Sequence, residues 1–224
     1  MIKRILILFA IAQLSMMGYS QTPKWAEKAK KAVFSVVTYD ANDKILNTGN
    51  GFFISEKGVA ISDYAFFKNA QRAVIITSEG EKMPVKAILG ANDMYDVVKF
   101  SVDITSKKVA NLTLSETPMT EGSKLWLLPY STQKVRSLTS GNVNSVDKIS
   151  DYAYYTINLP LKEKMVSCPL MNDEGLVVAL AQKASGQDTA TICYGVDARF
   201  ANSQEITAIS YNDNNSYEIQ ITKR

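Results

Sequence analysis

Ser167 and Cys168 stand side by side, a few residues beyond Lys162-Glu163-Lys164. A hydroxyl and a thiol close to lysines are the ingredients of covalent catalysis with an amine base. That chemistry needs a lysine desolvated enough to surrender its proton. Lys162-Glu163-Lys164 is instead a charged, surface-like run in which both lysines are expected to stay protonated. Cys168 precedes a proline in an apolar segment, which suits packing or half of a disulfide. The commonest base is missing altogether, because the 224 residues include no histidine. The side chain that titrates near neutrality is thereby lost, together with the commonest metal ligand. Two cysteines cannot build a four-thiolate zinc site, so no metal or other cofactor is expected.

Cys168 and Cys193 are the two thiols of the chain. Both fall in strand-like segments, and an even count in an oxidising compartment permits a bridge between them. Two buried, unpaired thiols fit the same pattern. The compartment is suggested by Met1 to Ser20, where Lys3 and Arg4 precede an apolar run to Gly18. Gly18 and Ser20 then place small residues before a cut, so residues 1–20 are expected to be a signal peptide and the protein to be exported, to a periplasm or outside the cell. No later stretch is long and apolar enough to span a membrane. Cleavage would remove two of 25 basic residues and no acid, so the net charge of +3 would fall to +1. That near balance argues against nucleic acid as a partner.

The elements that must position Ser167 and its neighbours are mostly strands. Thr22-Pro23 resembles an N-cap followed by proline at the first helical position, which predicts a short helix within residues 21–32. A first batch of β-branched and aromatic runs fills residues 33–104, separated by turns such as Asp40-Ala41-Asn42-Asp43 and Glu56-Lys57-Gly58. Residues 105–122 are largely polar and carry Pro118, as a linker would. A second batch occupies residues 123–224. Two comparable sets of short strands predict an all-β protein of two packed barrels or a sandwich.

Several segments together carry a family likeness. Gly49-Asn50-Gly51-Phe52-Phe53-Ile54-Ser55, with Gly58 three residues on, resembles the opening of trypsin-like proteases of the HtrA type. Pro84-Val85-Lys86-Ala87, Gly90 to Val98 with Asp96, Pro169-Leu170-Met171-Asn172 with Gly175-Leu176-Val177-Val178, and Tyr194-Gly195-Val196 continue the likeness in order and spacing over roughly residues 30–200. The resemblance implies two six-stranded antiparallel β-barrels of the trypsin-like serine protease fold, behind a short N-terminal helix and with a cleft between the barrels.

In that family a serine attacks, a histidine takes its proton and an aspartate orients the histidine. The resemblance places these roles at Val166, Ala65 and Asp96, so only the aspartate is present. The oxyanion hole would use the N–H groups of Lys164 and Val166, in a loop whose three glycine positions have become Lys164, Ser167 and Cys168. The loop is therefore expected to take another path. Asp96, lacking a histidine to orient, is expected to cap a loop. Tyr64, Phe66 and Phe67 would border the old cleft on one side, with Met165, Val166 and Ser167 on the other. The implied protein is a catalytically inactive protease relative that binds a protein or peptide, or serves as a scaffold, with its oligomeric state open. The competing reading is a hydrolase with rearranged machinery, using Ser167 or Cys168 as nucleophile.

Overall fold

A computed structural model of the chain describes residues 22–136, 138–149, 151–183, 192–202, 207–211 and 217–218. The expected signal peptide lies outside the described residues. Among the described residues the first regular element is a one-turn helix, α1 (Ala26–Ala29), running into a 3-10 turn at Lys30–Ala32. Thr22 does not cap it. The helix begins after Trp25, and the Thr22 hydroxyl donates instead to the carbonyl of Arg136. A tertiary acceptor has thus replaced the local capping bond that the Thr-Pro pair suggests.

The first six strands are β1 (Val33–Tyr39), β2 (Ile45–Phe53), β3 (Val59–Ser62), β4 (Arg72–Ile76), β5 (Lys82–Asn92) and β6 (Val97–Val102). They close in the order β4-β1-β2-β3-β6-β5, with β5 pairing both β4 and β6. The next six are β7 (Lys124–Leu127), β8 (Thr139–Ile149), β9 (Tyr152–Asn158), β10 (Pro169–Met171), β11 (Val177–Gln182) and β12 (Cys193–Asp197), and they form a second closed barrel. Both barrels are antiparallel throughout. Beyond the second barrel, the C-terminal segment expected within residues 123–224 is described at residues 207–211 and 217–218. Their strands β13 (Thr207–Tyr211) and β14 (Tyr217–Glu218) return to the first, where β13 pairs with β5. β5 can serve three neighbours because it is 11 residues long, which leaves its far half an edge that the closing chain covers.

Each barrel has its own core. Phe34, Phe53, Phe67 and Phe100 fill the first, with Phe34 against Phe53 at 4.7 Å and Phe67 against Phe100 at 5.0 Å between ring centres. Leu125, Leu127, Tyr155, Ile157 and Leu170 fill the second, with both cysteines. A third cluster joins the barrels, drawing Phe52, Ile61 and Val97 from one and Trp126, Met171, Leu180 and Val196 from the other. Aromatic residues between 4 and 7 Å apart add directional contacts to this burial. Phe200 carries such a stack across the joint, 4.3 Å from Tyr95 and 4.0 Å from Tyr152.

Candidate functional site

Three chain segments meet where the barrels touch: the turn after β3, the turn between β5 and β6, and the entry to β10. The first is a 3-10 turn at Tyr64–Phe66, entered through Asp63. The second contains Asp96, in the left-handed backbone region at φ 53°. The Asp96 carboxylate accepts the backbone N–H of Ala65 at 2.6 Å, and its carbonyl accepts that of Tyr64 at 3.2 Å. This aspartate therefore caps the turn that carries Ala65. Burial raises its pKa above the ordinary carboxylate value, against the pull of the Ala65 N–H and of nearby Lys68.

The third segment begins with a 3-10 turn at Glu163–Met165 and continues through Val166 to Ser167 and Cys168. The N–H of Met165 donates to the Lys162 carbonyl at 2.8 Å, and that of Val166 to the Glu163 carbonyl at 3.3 Å. The Val166 amide thus turns back into its own loop. An oxyanion hole needs preorganised donors aimed at the reacting centre. Ser167 sits at φ 66°, a conformation usually reserved for glycine. It keeps the bend of a family glycine position while bearing a side chain.

Its hydroxyl explains why that strain is tolerated. Ser167 Oγ is wholly buried, accepts the Asp63 N–H at 2.7 Å and lies 3.3 Å from Ser62 Oγ. Ser62 in turn donates to the Asn50 carbonyl at 2.6 Å. The Asn50 amide donates to the carbonyls of Lys164 at 3.0 Å and Val166 at 2.7 Å. From the far barrel, Gln182 donates to the carbonyls of Tyr95 at 2.9 Å and Asp96 at 3.2 Å, and reaches Asp63 Oδ1 at 3.5 Å. A polar network thus ties the barrels together around Ala65, Asp96 and Val166, the positions to which the family likeness assigns the catalytic roles. At its centre the Asp63 carboxyl is held well above the usual carboxylate range by burial, reinforced by the Asp96 charge. Hydrogen bonds from Ser167 and Gln182 pull it the other way.

Asn50, Ser62, Asp63 and Gln182 escaped the reading of the sequence. Their signals were present but small: a polar side chain between Gly49 and Gly51, and two polar residues ending the apolar run of β3.

Beside the network lies an open groove of about 590 Å3, lined by Thr48, Gly49, Phe66, Tyr130, Glu163 and Val166, among others. Phe66 covers Gly49 so closely that a β-carbon there would lie 2.0 Å from the ring. Of the six residues expected to line the cleft, Phe66 and Val166 do so. Phe67 and Ser167 do not. Phe67 is 5% exposed and packs on Phe100 within the first barrel, because the 3-10 turn directs adjacent side chains to different sides. Ser167 is spent on the buried network. Tyr64 is half-buried against the first core, and Met165 against the second.

Of the two arrangements open to the cysteines, the structure has free, buried thiols at Cys168 and Cys193. Burial pushes each up to about 12, far from the thiolate that nucleophilic chemistry requires. Lys162 and Lys164 point into solvent. Among the described residues, no group of three or more acidic or cysteine side chains is placed to hold a metal ion, and no helix is long and apolar enough to cross a membrane.

Two closed barrels meeting at such a joint define the double-barrel protein class to which chymotrypsin-like peptidases belong. The family model for the trypsin-like peptidase domain matches residues 49–180, and the chain belongs to that family. Among solved structures it is similar to the active form of the Rv3671c protease from M. tuberculosis, with a TM-score of 0.63 and 16% identity. The match covers 80% of this chain and 83% of that one. No curated protein matches the chain.

Proposed function

We propose that this member of the trypsin-like peptidase family is an exported pseudoprotease that holds an extended peptide or protein segment without cutting it. The observation that carries the reading is the exchange of chemistry for packing at one place. Ala65 and Val166 occupy the positions that the family likeness assigns to base and nucleophile, and the Val166 N–H is closed on Glu163. The groove alongside stays open, with Phe66 and Val166 as apolar walls. Pockets that are largely apolar with a few polar groups suit ligand capture.

A strand edge runs along the same groove. β2 pairs with β1 from Ile45 to Phe52, with Leu46 bulged out, but with β3 only from Gly51 to Phe53. Residues 45–50 therefore have no strand partner on that side among the described residues. An extended segment can add there as a strand, with backbone hydrogen bonds for affinity and the groove for selectivity.

The rearranged hydrolase is supported less well. Ser167 is 0% exposed and engaged by Asp63, and Cys168 is 0% exposed. Neither offers an attacking atom to a substrate in this arrangement. Export rests on the composition of residues 1–20, and N-terminal sequencing of the secreted protein tests it.

The function is tested by titrating the purified protein with extended apolar peptides and following both binding and peptide mass. The expected result is a saturable complex with intact peptide, weakened by Val166→Asp. Cleavage lost in Ser167→Ala or Cys168→Ala would establish the hydrolase instead.

A further inference from the structure

We propose that the groove selects the indole of a tryptophan in the bound segment, and that Asn50 is the residue that reads its N–H. The inference rests on the peptide-groove reading above and names the side chain that fills the groove. It begins with the strand pair beneath it. Phe34 and Val36 of β1 point into the first core, so Ser35 between them points to the other face. Ser35 stands opposite Asn50 of β2, and residues directly opposite in an antiparallel pair present their side chains on one face. Ser35, Asn50 and, two residues back along β2, Thr48 therefore form a polar patch on a single face, and all three line the groove.

Hydrogen-bond accounting separates the donors of this patch from its acceptors. A side-chain amide carries two N–H donors and an oxygen with two lone pairs. The Asn50 nitrogen bonds the carbonyls of Lys164 at 3.0 Å and Val166 at 2.7 Å. Those contacts fix which end of the amide is nitrogen, because an oxygen there would face two carbonyl oxygens. Asn50 is only 6% exposed, yet its Oδ1 accepts no hydrogen bond from any described residue. Buried acceptors are ordinarily paired, so this one calls for a donor. The neighbouring hydroxyls do not supply it. Ser35 gives its proton to the Gly49 carbonyl at 3.3 Å, and Tyr130 gives its own to the Thr77 carbonyl at 3.3 Å. The unspent donors of the lining, the Thr48 hydroxyl and the Lys164 ammonium, belong to exposed residues.

Walls and charge define the rest of the side chain. Phe66, Tyr130 and Val166 supply two aromatic rings and a branched apolar group around about 590 Å3. Glu163 and Lys164 stand side by side in the lining, so the groove has no net charge and favours neither a cation nor an anion. The fitting side chain is thus flat, apolar and neutral, with a donor at its edge. A tyrosine hydroxyl brings lone pairs along with its proton, whereas indole is a donor only. Tryptophan also places its N–H on a partner when it is buried. The unpaired Asn50 oxygen offers that partner.

Calorimetric titration of the purified protein with three extended apolar peptides tests the proposal. They differ at one central position, which carries tryptophan, phenylalanine or benzothienylalanine, the isostere of tryptophan with sulfur in place of the N–H. The expected result is saturable binding of the tryptophan peptide, with the benzothienyl peptide weaker by about tenfold, the scale of one net hydrogen bond. Phenylalanine should be weaker again. Asn50→Leu should bring the tryptophan and benzothienyl affinities together, whereas a merely loosened loop would weaken all three peptides alike. Equal affinities for those two peptides in the wild-type protein, with binding still dependent on Val166, overturn the proposal and leave the peptide groove standing. A tryptophan preference that survives in Asn50→Leu refutes the role of Asn50. Failure of all three peptides to bind overturns the groove and the proposal together.

Discussion

Replacing Ser167 by alanine and, separately, by glycine separates the two forces that meet at this residue. Its hydroxyl accepts the Asp63 N–H and contacts Ser62 in a site without solvent. Removing it strands a buried backbone donor, which costs about 1–3 kcal/mol. Alanine keeps the left-handed backbone at φ 66° and so gains nothing in return. Glycine loses the same hydrogen bonds but sheds the steric penalty of that conformation, about 1 kcal/mol. Ser167→Ala should therefore be destabilised by about 2 kcal/mol, and Ser167→Gly by about 1 kcal/mol less than that. For a chain of this size the alanine variant should melt about 4–8 °C lower. Urea unfolding followed by tryptophan fluorescence reads both, since Trp25 and Trp126 lie at the barrel joint. An alanine variant as stable as wild type, or a glycine variant less stable than the alanine one, would refute the assignment of Ser167 as a structural tie.

Asp63 should impose a pH dependence of the opposite sense to an ion-paired carboxylate. Its pKa is raised in the folded state, so the native protein keeps a proton that the unfolded chain releases. That contribution to stability is complete below the ordinary aspartate pKa and is lost as pH rises through the raised one. Asp96, shifted the same way, adds to the slope, and Asp63→Asn should flatten most of it in unfolding curves taken from acid to neutral pH. The two adjacent phenylalanines should behave differently. Phe67→Ala empties part of the first core at a cost of about 3–5 kcal/mol, whereas Phe66→Ala should cost far less and instead weaken peptide binding. Both thiols should resist aromatic disulfide reagents at pH 8 until the protein is unfolded, because burial holds them near 12.

Much of this arrangement could be read from residue order. β-branched runs and glycine turns marked the strands, and the segments around Gly49, Asp96 and Pro169 were enough to predict that Ala65, Asp96 and Val166 share one neighbourhood. What escaped depends on contacts across the joint. Nothing local distinguishes Phe66 from Phe67; the split arises because a 3-10 turn sends one toward Gly49 and the other toward Phe100. The Thr22 hydroxyl was expected to bond within its own helix, yet a carbonyl more than a hundred residues away competes successfully. Asn50 within β2, Asp63 just after β3 and Gln182 at the end of β11 are polar residues with no local signal of a role, and their roles exist only once both barrels are in place. The return of β13 to the first barrel is likewise a matter of which edge stays open, not of composition.

Native mass spectrometry of the protein mixed with extended apolar peptides puts the central claim to its most direct test. The account predicts a saturable non-covalent complex in which the peptide mass is intact after prolonged incubation. No covalent adduct should form at Ser167 or Cys168, and Val166→Asp should weaken the complex. Shortened peptides, or an acyl adduct that disappears in Ser167→Ala, would contradict it.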